Sequence, residues 1–270
     1  MADGLMGDKA TIQVQSHLQF ENVSFTYSHA NKPTSVFEKT NLSIYEKEFV
    51  TILGPSGAGK STFFRLAAGL EQPKSGRIMI QGKEEANRLG KIGYMPQQDL
   101  LLPWRTVLEN GLLPLEIKGM DKKEASDLVK QHMKKFGLEG TENNYAHQLS
   151  GGMRQRVSFL RAILGGNDIL LLDEPFSALD SMTRFMMQEW LLEQWHEWEK
   201  TIIFITHDVE EAIFLSDRIF MLTHPPIEGN IDEVNVPLSR PRNEEHRSEA
   251  DFMELKQNLF KKMRAKEQFL

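Results

Sequence analysis

Gly54-x-x-x-x-Gly59-Lys60-Ser61 has the residue types and spacing of a loop that holds phosphate. The glycines (Gly54, Gly57, Gly59), interleaved with Pro55, Ser56 and Ala58, let the backbone turn so that successive N–H groups face phosphate oxygens. The residues after them open a helix, whose N-terminus adds its dipole and free N–H groups. Lys60 brings a cation to the β- and γ-phosphates, Ser61 a hydroxyl for magnesium and Thr62 a further donor. Such a loop needs an acid on a neighbouring strand. Ile169-Leu170-Leu171-Leu172-Asp173-Glu174 supplies one. Asp173 can reach a hard cation directly or through water, and Glu174 can polarise an attacking water as general base. A third run, Leu149-Ser150-Gly151-Gly152-Met153-Arg154-Gln155-Arg156, precedes a helix. It is either a second anion-binding terminus or a simple N-cap and turn. One nucleotide needs one cradle, so a second cradle makes sense if it faces a nucleotide held by another copy of the chain.

The elements that must position these residues are legible in the patterning. Leu18–Phe25 and Thr40–Ile44 alternate apolar and polar, as half-buried strands do. A polar, Pro-containing loop is expected between them, over Ser28–Ser35, and the pair reads as an antiparallel edge layer. Residues up to about Ser16 are polar and read as a frayed end. Phe49–Leu53, Arg77–Ile80, Lys91–Met95, Ile169–Leu172, Thr201–Thr206 and Arg218–Thr223 read as strands. Helices are expected after Lys60 and Ser150, from Ser181 to Glu199 and from Val209 to Leu215. Asp121 can cap another that Phe136-Gly137 ends. Strands alternating with helices on both sides of the middle give an α/β fold with a mainly parallel sheet. The helical stretch at about 98–165 reads as a subdomain inserted between two core strands.

Composition narrows the class. The chain has 270 residues, 40% hydrophobic and 26% charged, as an ordinary globular protein does. Its net charge of −6 argues against a nucleic-acid binder working through overall charge. The absence of cysteine excludes disulfides, thiolate metal sites and a cysteine nucleophile. No run approaches a membrane span, and the first residues, MADGLMGDKA, lack the apolar region of a signal peptide.

With these motifs in this order, residues 18–240 resemble the ATP-binding subunit of an ABC transporter, with 241–270 as a C-terminal helical tail. The resemblance implies a P-loop NTPase core, with ATP and Mg2+ as ligands. It identifies Gly54–Ser61 as the Walker A loop, Leu170–Asp173 as Walker B and Leu149–Gln155 as the family signature, LSGGMRQ against the common LSGGQ. It makes Gln97 of Tyr-Met-Pro-Gln-Gln the Q-loop residue that reaches magnesium and water. Gln98 is adjacent, and the preceding strand favours Gln97. Ser177–Asp180 matches the D-loop, and His207 the switch histidine that contacts the γ-phosphate. Tyr27, 33 residues before Lys60, matches the aromatic that stacks on adenine, with Phe25 as its competitor. The implied mechanism is a head-to-tail dimer, in which ATP lies between the Walker A loop of one copy and Ser150-Gly151-Gly152 of the other.

Leu101-Leu102-Pro103-Trp104-Arg105-Thr106-Val107-x-x-Asn110 resembles the nitrate/sulfonate/taurine importer branch, which includes importers of thiamine pyrimidine precursors. Pro103 and Trp104 form an apolar knuckle suited to a short helix from a membrane partner, unless Trp104 is core of the helical subdomain. The run Pro237–Arg242 resembles the end of that branch, although His224-Pro225-Pro226 stands where the family more often has R-P-G. Integral membrane permease subunits and, indirectly, a solute-binding protein are the partners implied, at the cytoplasmic face of the membrane. A soluble ABC ATPase not coupled to a transporter is the alternative. The single Walker A, the lack of a coiled-coil insertion and the acidic charge weigh against it. Trp190, Trp195 and Trp198 on one acidic helix read as core packing rather than a membrane face. Glu244–Leu270 reads as a mixed-charge, solvated helix.

Overall fold

The structure is a computed structural model that describes residues 16–29 and 32–267. The expected frayed end before Ser16 lies outside the described residues. Ser16–His29 (β1) and Lys32–Tyr45 (β2) form a long antiparallel hairpin. The loop expected over residues 28–35 is therefore largely strand, because pairing continues through Tyr27↔Thr34 to His29↔Lys32. A ladder is built from backbone groups, so polar side chains do not interrupt it.

Phe49–Leu53 (β3) runs through a glycine loop into Lys60–Ala67 (α1). Ser75–Ile80 (β4), Lys83–Glu84 (β5) and Gly93–Met95 (β6) follow. Val107–Ile117 (α2), Lys122–Lys135 (α3) and Gly151–Leu164 (α4) form the helical middle. Ile169–Asp173 (β7), Ser181–Trp198 (α5), Thr201–Thr206 (β8) and Val209–Leu215 (α6) return to the alternating pattern. Arg218–Met221 (β9), Ile227–Asn230 (β10), Asp232–Asn235 (β11) and Ala250–Glu267 (α7) complete the elements.

The strands make two sheets, ordered β10-β2-β1-β4-β5 and β11-β9-β3-β8-β7-β6. The first is antiparallel except at β10–β2, and the second is parallel except at β11–β9. The aliphatic runs are explained by two cores on opposite faces of the second sheet. Ile52, Ile169, Leu171, Ile203 and Ile205 pack with the first sheet and with Phe63 and Phe64 of α1. Leu53, Leu170, Leu172, Ile202 and Phe204 pack against the helical side. A strand buried on both faces has no polar alternation to show.

β6 and β7 pair in parallel, Gly93↔Leu170 to Met95↔Leu172, so the helical stretch leaves the sheet and returns beside its point of exit. Its helices start where capping chemistry allows. Thr106 accepts the N–H of Glu109 at 3.3 Å while the Glu109 carboxylate accepts that of Thr106 at 2.8 Å. Asp121 accepts from Lys123 and Glu124 at 2.9 and 3.2 Å. Past the end of α3, Gly137 takes the left-handed φ of 62° expected of a terminating glycine. Trp190 and Trp198 pack on Phe136, with ring centroids 4.9 and 5.9 Å apart, as core residues do.

The C-terminal helix departs from the solvated reading. Phe252 and Leu259 of α7 are buried in the helical-side core with Ala212, Ile213 and Phe214 of α6. Phe252, Leu255, Leu259 and Met263 form the apolar stripe that seats the helix, and exposed Met253 and Phe260 among the charges blur it in the sequence. Among the described residues no helix is long and apolar enough to cross a membrane.

Candidate functional site

The site is built where β3, β7 and β8 end side by side in parallel. From β3 the chain enters the glycine loop. Gly57 and Gly59 hold φ of 83° and 92°, which side chains resist. A Cβ on Gly54 would stand 2.4 Å from the Leu222 carbonyl oxygen, so the loop lies flush on the strand beside it. Gly59 caps α1 with no side chain, leaving the first N–H groups of the helix open to a ligand. Lys60, only 7% exposed, folds back and donates to the carbonyls of Gly54 and Pro55 at 2.7 and 2.9 Å. Burial lowers its pKa, against the opposing pull of Glu174 and Asp173. Ser61 faces solvent while Thr62 is buried.

β7 delivers the acids. The Asp173 carboxyl is pushed up to about 6, first by burial and then by the neighbouring Glu174. Tyr94 of β6 donates its hydroxyl to Asp173 Oδ2 at 3.4 Å. Burial and that carboxylate push the phenol up to about 12. Glu174 sits at φ 43°, in the left-handed region, with its N–H on the Ile205 carbonyl at 3.1 Å. For a residue with a side chain that conformation costs about 1–2 kcal/mol. It turns the carboxylate into a crowd of donors. Glu174 Oε1 lies 3.2 Å from His207 Nδ1 and 3.9 Å from Lys60 Nζ, and Oε2 accepts Gln97 Nε2 at 3.3 Å. Four residues expected to act together thus meet at one carboxylate, from positions spread across 148 residues of chain.

The remaining expectations fall into place unevenly. Gln97 rather than Gln98 reaches Glu174, and it also donates to Ser177 Oγ at 3.4 Å. Phe25 is buried in the core, whereas Tyr27 is half-buried and brings its hydroxyl to 3.3 Å from Thr62 Oγ1. Tyr27 therefore lies beside the first turn of α1, which follows the glycine loop. Ser150 is exposed and caps α4, accepting the N–H of Met153 at 3.3 Å, with Gly151 exposed next to it. Among the described residues no hydrogen bond joins Ser150–Gly152 to the glycine loop. Gly151, Gln97 and Ser177 instead line a cavity of about 550 Å³ with Asp99, Arg154 and Gln155. Asp180 caps α5, accepting Thr183 N–H at 3.0 Å and its hydroxyl at 2.6 Å, which hold the exposed carboxyl below its usual range. Trp104 is 71% exposed, so it is not core of the helical region.

Some residues around the site escape sequence reading. Arg154, Ser158 and Arg161 line one face of α4 and hold the segment just after Gln97. Arg154 pairs with Asp99 at 3.2 Å and Ser158 donates to the Asp99 carbonyl at 3.2 Å. Arg161 donates to the carbonyls of Asp99 and Leu100, both at 2.8 Å. Their spacing of four and three was the only available signal.

The donor set suits a hard cation carried by phosphate. It offers a hydroxyl on Ser61, a carboxylate on Asp173 and an amide oxygen on Gln97, beside acids that burial has already crowded together. Among the described residues no group of three or more His, Cys, Asp or Glu could hold a metal alone. A small divalent ion that keeps waters and binds phosphates asks for one or two carboxylates only.

Residues 37–177 match the ABC transporter family. The chain is similar to the formylaminopyrimidine import ATP-binding protein ThiZ of Halalkalibacterium halodurans, at 51% identity over 224 residues, covering 83% of this chain and 86% of that protein. It is 40% identical over 231 residues to the aliphatic sulfonates import ATP-binding protein SsuB of Bacillus cereus, covering 84% of this chain and 90% of the relative. Among solved structures, a dimeric bacterial ABC transporter cassette matches with a TM-score of 0.72 at 33% identity, over 82% of this chain and 100% of that one. A dimeric cassette in a post-hydrolysis state bound to ADP and Pi matches with a TM-score of 0.71 at 32% identity, over the same shares. At that identity over most of its length, the chain belongs to the ABC transporter family, as an ATP-binding and ATP-hydrolysing subunit of the importer branch that holds the formylaminopyrimidine and sulfonate relatives.

Proposed function

We propose that this subunit hydrolyses ATP through Glu174, Gln97 and His207 to drive import of a small anionic or heterocyclic solute. Nitrate, sulfonate and taurine-type anions and thiamine pyrimidine precursors are the solute classes in view. The 51% identity to a formylaminopyrimidine importer subunit favours the heterocycle. Residues 18–240 form the ATPase domain, with the helical subdomain at about 98–165 inserted, and 241–270 are its tail.

The convergence of Lys60, Gln97 and His207 on Glu174 carries the mechanism. The glycine loop and the open end of α1 bind the β- and γ-phosphates, and Lys60 gives up its loop carbonyls to meet them. Ser61, Asp173 and Gln97 would hold Mg2+, which would supply charge neutralisation on the phosphates. Tyr27 stacks on the adenine. Glu174 then orients the attacking water and takes its proton, while His207 bonds the γ-phosphate. Ser150-Gly151-Gly152 of a second copy closes the site and Asp180 lies at that seam, so ATP joins two chains only in the closed state. Trp104, exposed beside the Gln97 loop, meets a permease subunit at the cytoplasmic face of the membrane, and the permease in turn receives solute from a binding protein.

Glu174→Gln is expected to lower ATP turnover by at least about 100-fold, at the low end of what a general base contributes. ATP binding should persist, and ATP-dependent dimers should accumulate on a sizing column. Turnover at the wild-type rate would overturn the assignment.

A further inference from the structure

The turn that carries His207 is tied to the far end of the chain by side chains the mechanism above leaves unused. Thr206, at the end of β8, donates its hydroxyl to Glu211 Oε2 at 2.6 Å and accepts the N–H of Asp208 at 3.0 Å. These bonds close the turn on both sides of His207. Asp208 then caps α6, accepting from Glu210 and Glu211 at 2.8 and 3.2 Å. The other oxygen of Glu211 accepts Gln188 Nε2 from α5 at 2.9 Å, and Arg184 Nε stands 4.0 Å away. Gln188 Oε1 in turn accepts Arg247 Nη2. Thr206 and Gln188 are each 2% exposed, so water does not compete for these bonds. The Gln188 amide has one workable orientation, since a flip would set its NH2 group against the guanidinium.

Arg247 is held as firmly as it holds. Its guanidinium lies over Phe214 at 4.4 Å and Phe185 at 5.1 Å, and 3.8 Å from Glu210. Nearby, buried Arg242 donates to the carbonyls of Ile213, Phe214 and Ser216, where α6 ends. Lys256 of α7 pairs with Glu210. α6 has seven residues, too few to hold a helix without such support.

We propose that Arg247 and Glu211 are positioning residues that hold His207 against Glu174, so that the seating of residues 242–259 on α6 sets the rate of ATP turnover. The proposal rests on the reading of Glu174 and His207 as hydrolytic residues. A segment beyond the nucleotide site thereby gains control of it without touching nucleotide. Anything that lifts the segment slackens the histidine.

The test uses the full chain with ATP and Mg2+, measuring kcat and KM separately and following His207 by NMR of 13C-labelled imidazole. Arg247→Ala is expected to lower kcat between about 10-fold and 100-fold, the scale of an ångström misplacement. KM for ATP should stay within about twofold, because the glycine loop is untouched. The His207 ring signals should shift. Gln188→Met cuts the chain of bonds while sparing the contacts of Arg247 with Phe185, Phe214 and Glu210, and it should do the same. It decides the matter should Arg247→Ala fail to fold. Wild-type kcat, or unmoved His207 signals, in a folded variant would overturn the tether. If Glu174→Gln also hydrolyses normally, the hydrolytic reading itself has failed. If Glu174→Gln is inactive while both tether variants behave as wild type, only the tether has.

Discussion

Single residues decide how the nucleotide loop and its surroundings behave, and two glycines separate the reasons. Gly54 has no room: a Cβ there would meet the Leu222 carbonyl at 2.4 Å and Ala58 Cβ at 3.2 Å. Gly57 has room, with nothing within 4 Å, but its φ is 83°. Gly54→Ala should therefore move the backbone, costing ~1–3 kcal/mol and most of the ATP affinity. Gly57→Ala should cost ~1–2 kcal/mol through its dihedral and keep more of the binding. Chemical denaturation and nucleotide titration distinguish the two, and equal losses of affinity would contradict the reading. Glu211 gives a pH signature. Burial raises its pKa above 4.5, ahead of Asp208, while Thr206, Arg184 and Gln188 pull it down. The folded chain then holds this proton more tightly than the unfolded chain, so its ionisation takes stability away as pH rises from 4.5 upward. Glu211→Gln cannot titrate. The stability difference between variant and wild type should shift toward the variant as pH rises above 4.5, and a flat difference would count against it.

Elements were legible where one physical demand governed many residues. The doubly buried β3, β7 and β8 show as aliphatic runs because both faces need apolar side chains. The glycine loop shows because Gly57 and Gly59 take left-handed φ values that side chains resist and Gly54 has no room for a Cβ. The ends of β1 and β2 stayed hidden because their pairing uses backbone alone. The docking of α7 stayed hidden because its stripe of Phe252, Leu255, Leu259 and Met263 lies among charges and beside the exposed Met253 and Phe260. Links between distant segments, such as Arg247 to Gln188 across 59 positions, leave no periodic trace. The clamp from α4 is of this kind and has a consequence for the element. Arg161 ties the segment after Gln97 to the helix that Ser150 caps, so in the proposed docking a push at Trp104 would reach both. Arg161→Ala removes two charge-assisted bonds, together worth roughly 3–6 kcal/mol at most and less at this half-exposed position. Amide exchange over residues 99–104 should quicken. In the assembled transporter, ATPase stimulation by the proposed permease partner should fall while basal turnover holds. Unchanged exchange there would remove the clamp.

For the molecule as a whole, the proposed dimer would give one chain half of two sites. In it the glycine loop and the Ser150–Gly152 terminus would each face a partner, and the related cassettes were solved as dimers. A decisive variant must remove one half without disturbing the other. Ser150→Ala does so. It deletes the hydroxyl of the second half, leaving the glycine loop, Lys60 and Thr62 as they are. In a Glu174→Gln background, where ATP turnover is expected to be strongly slowed, the Ser150→Ala chain should bind ATP as before and fail to form the ATP-dependent dimer on a sizing column. The substitution also removes the cap of α4, a loss of ~1 kcal/mol that could weaken the helix rather than the seam. Asp121→Ala controls for this, since it removes a comparable cap from α3. That chain should lose similar stability and dimerise normally. A Ser150→Ala chain that dimerises as well as the Asp121→Ala control would mean that the second terminus is a plain cap, and that the nucleotide is closed in by some other surface.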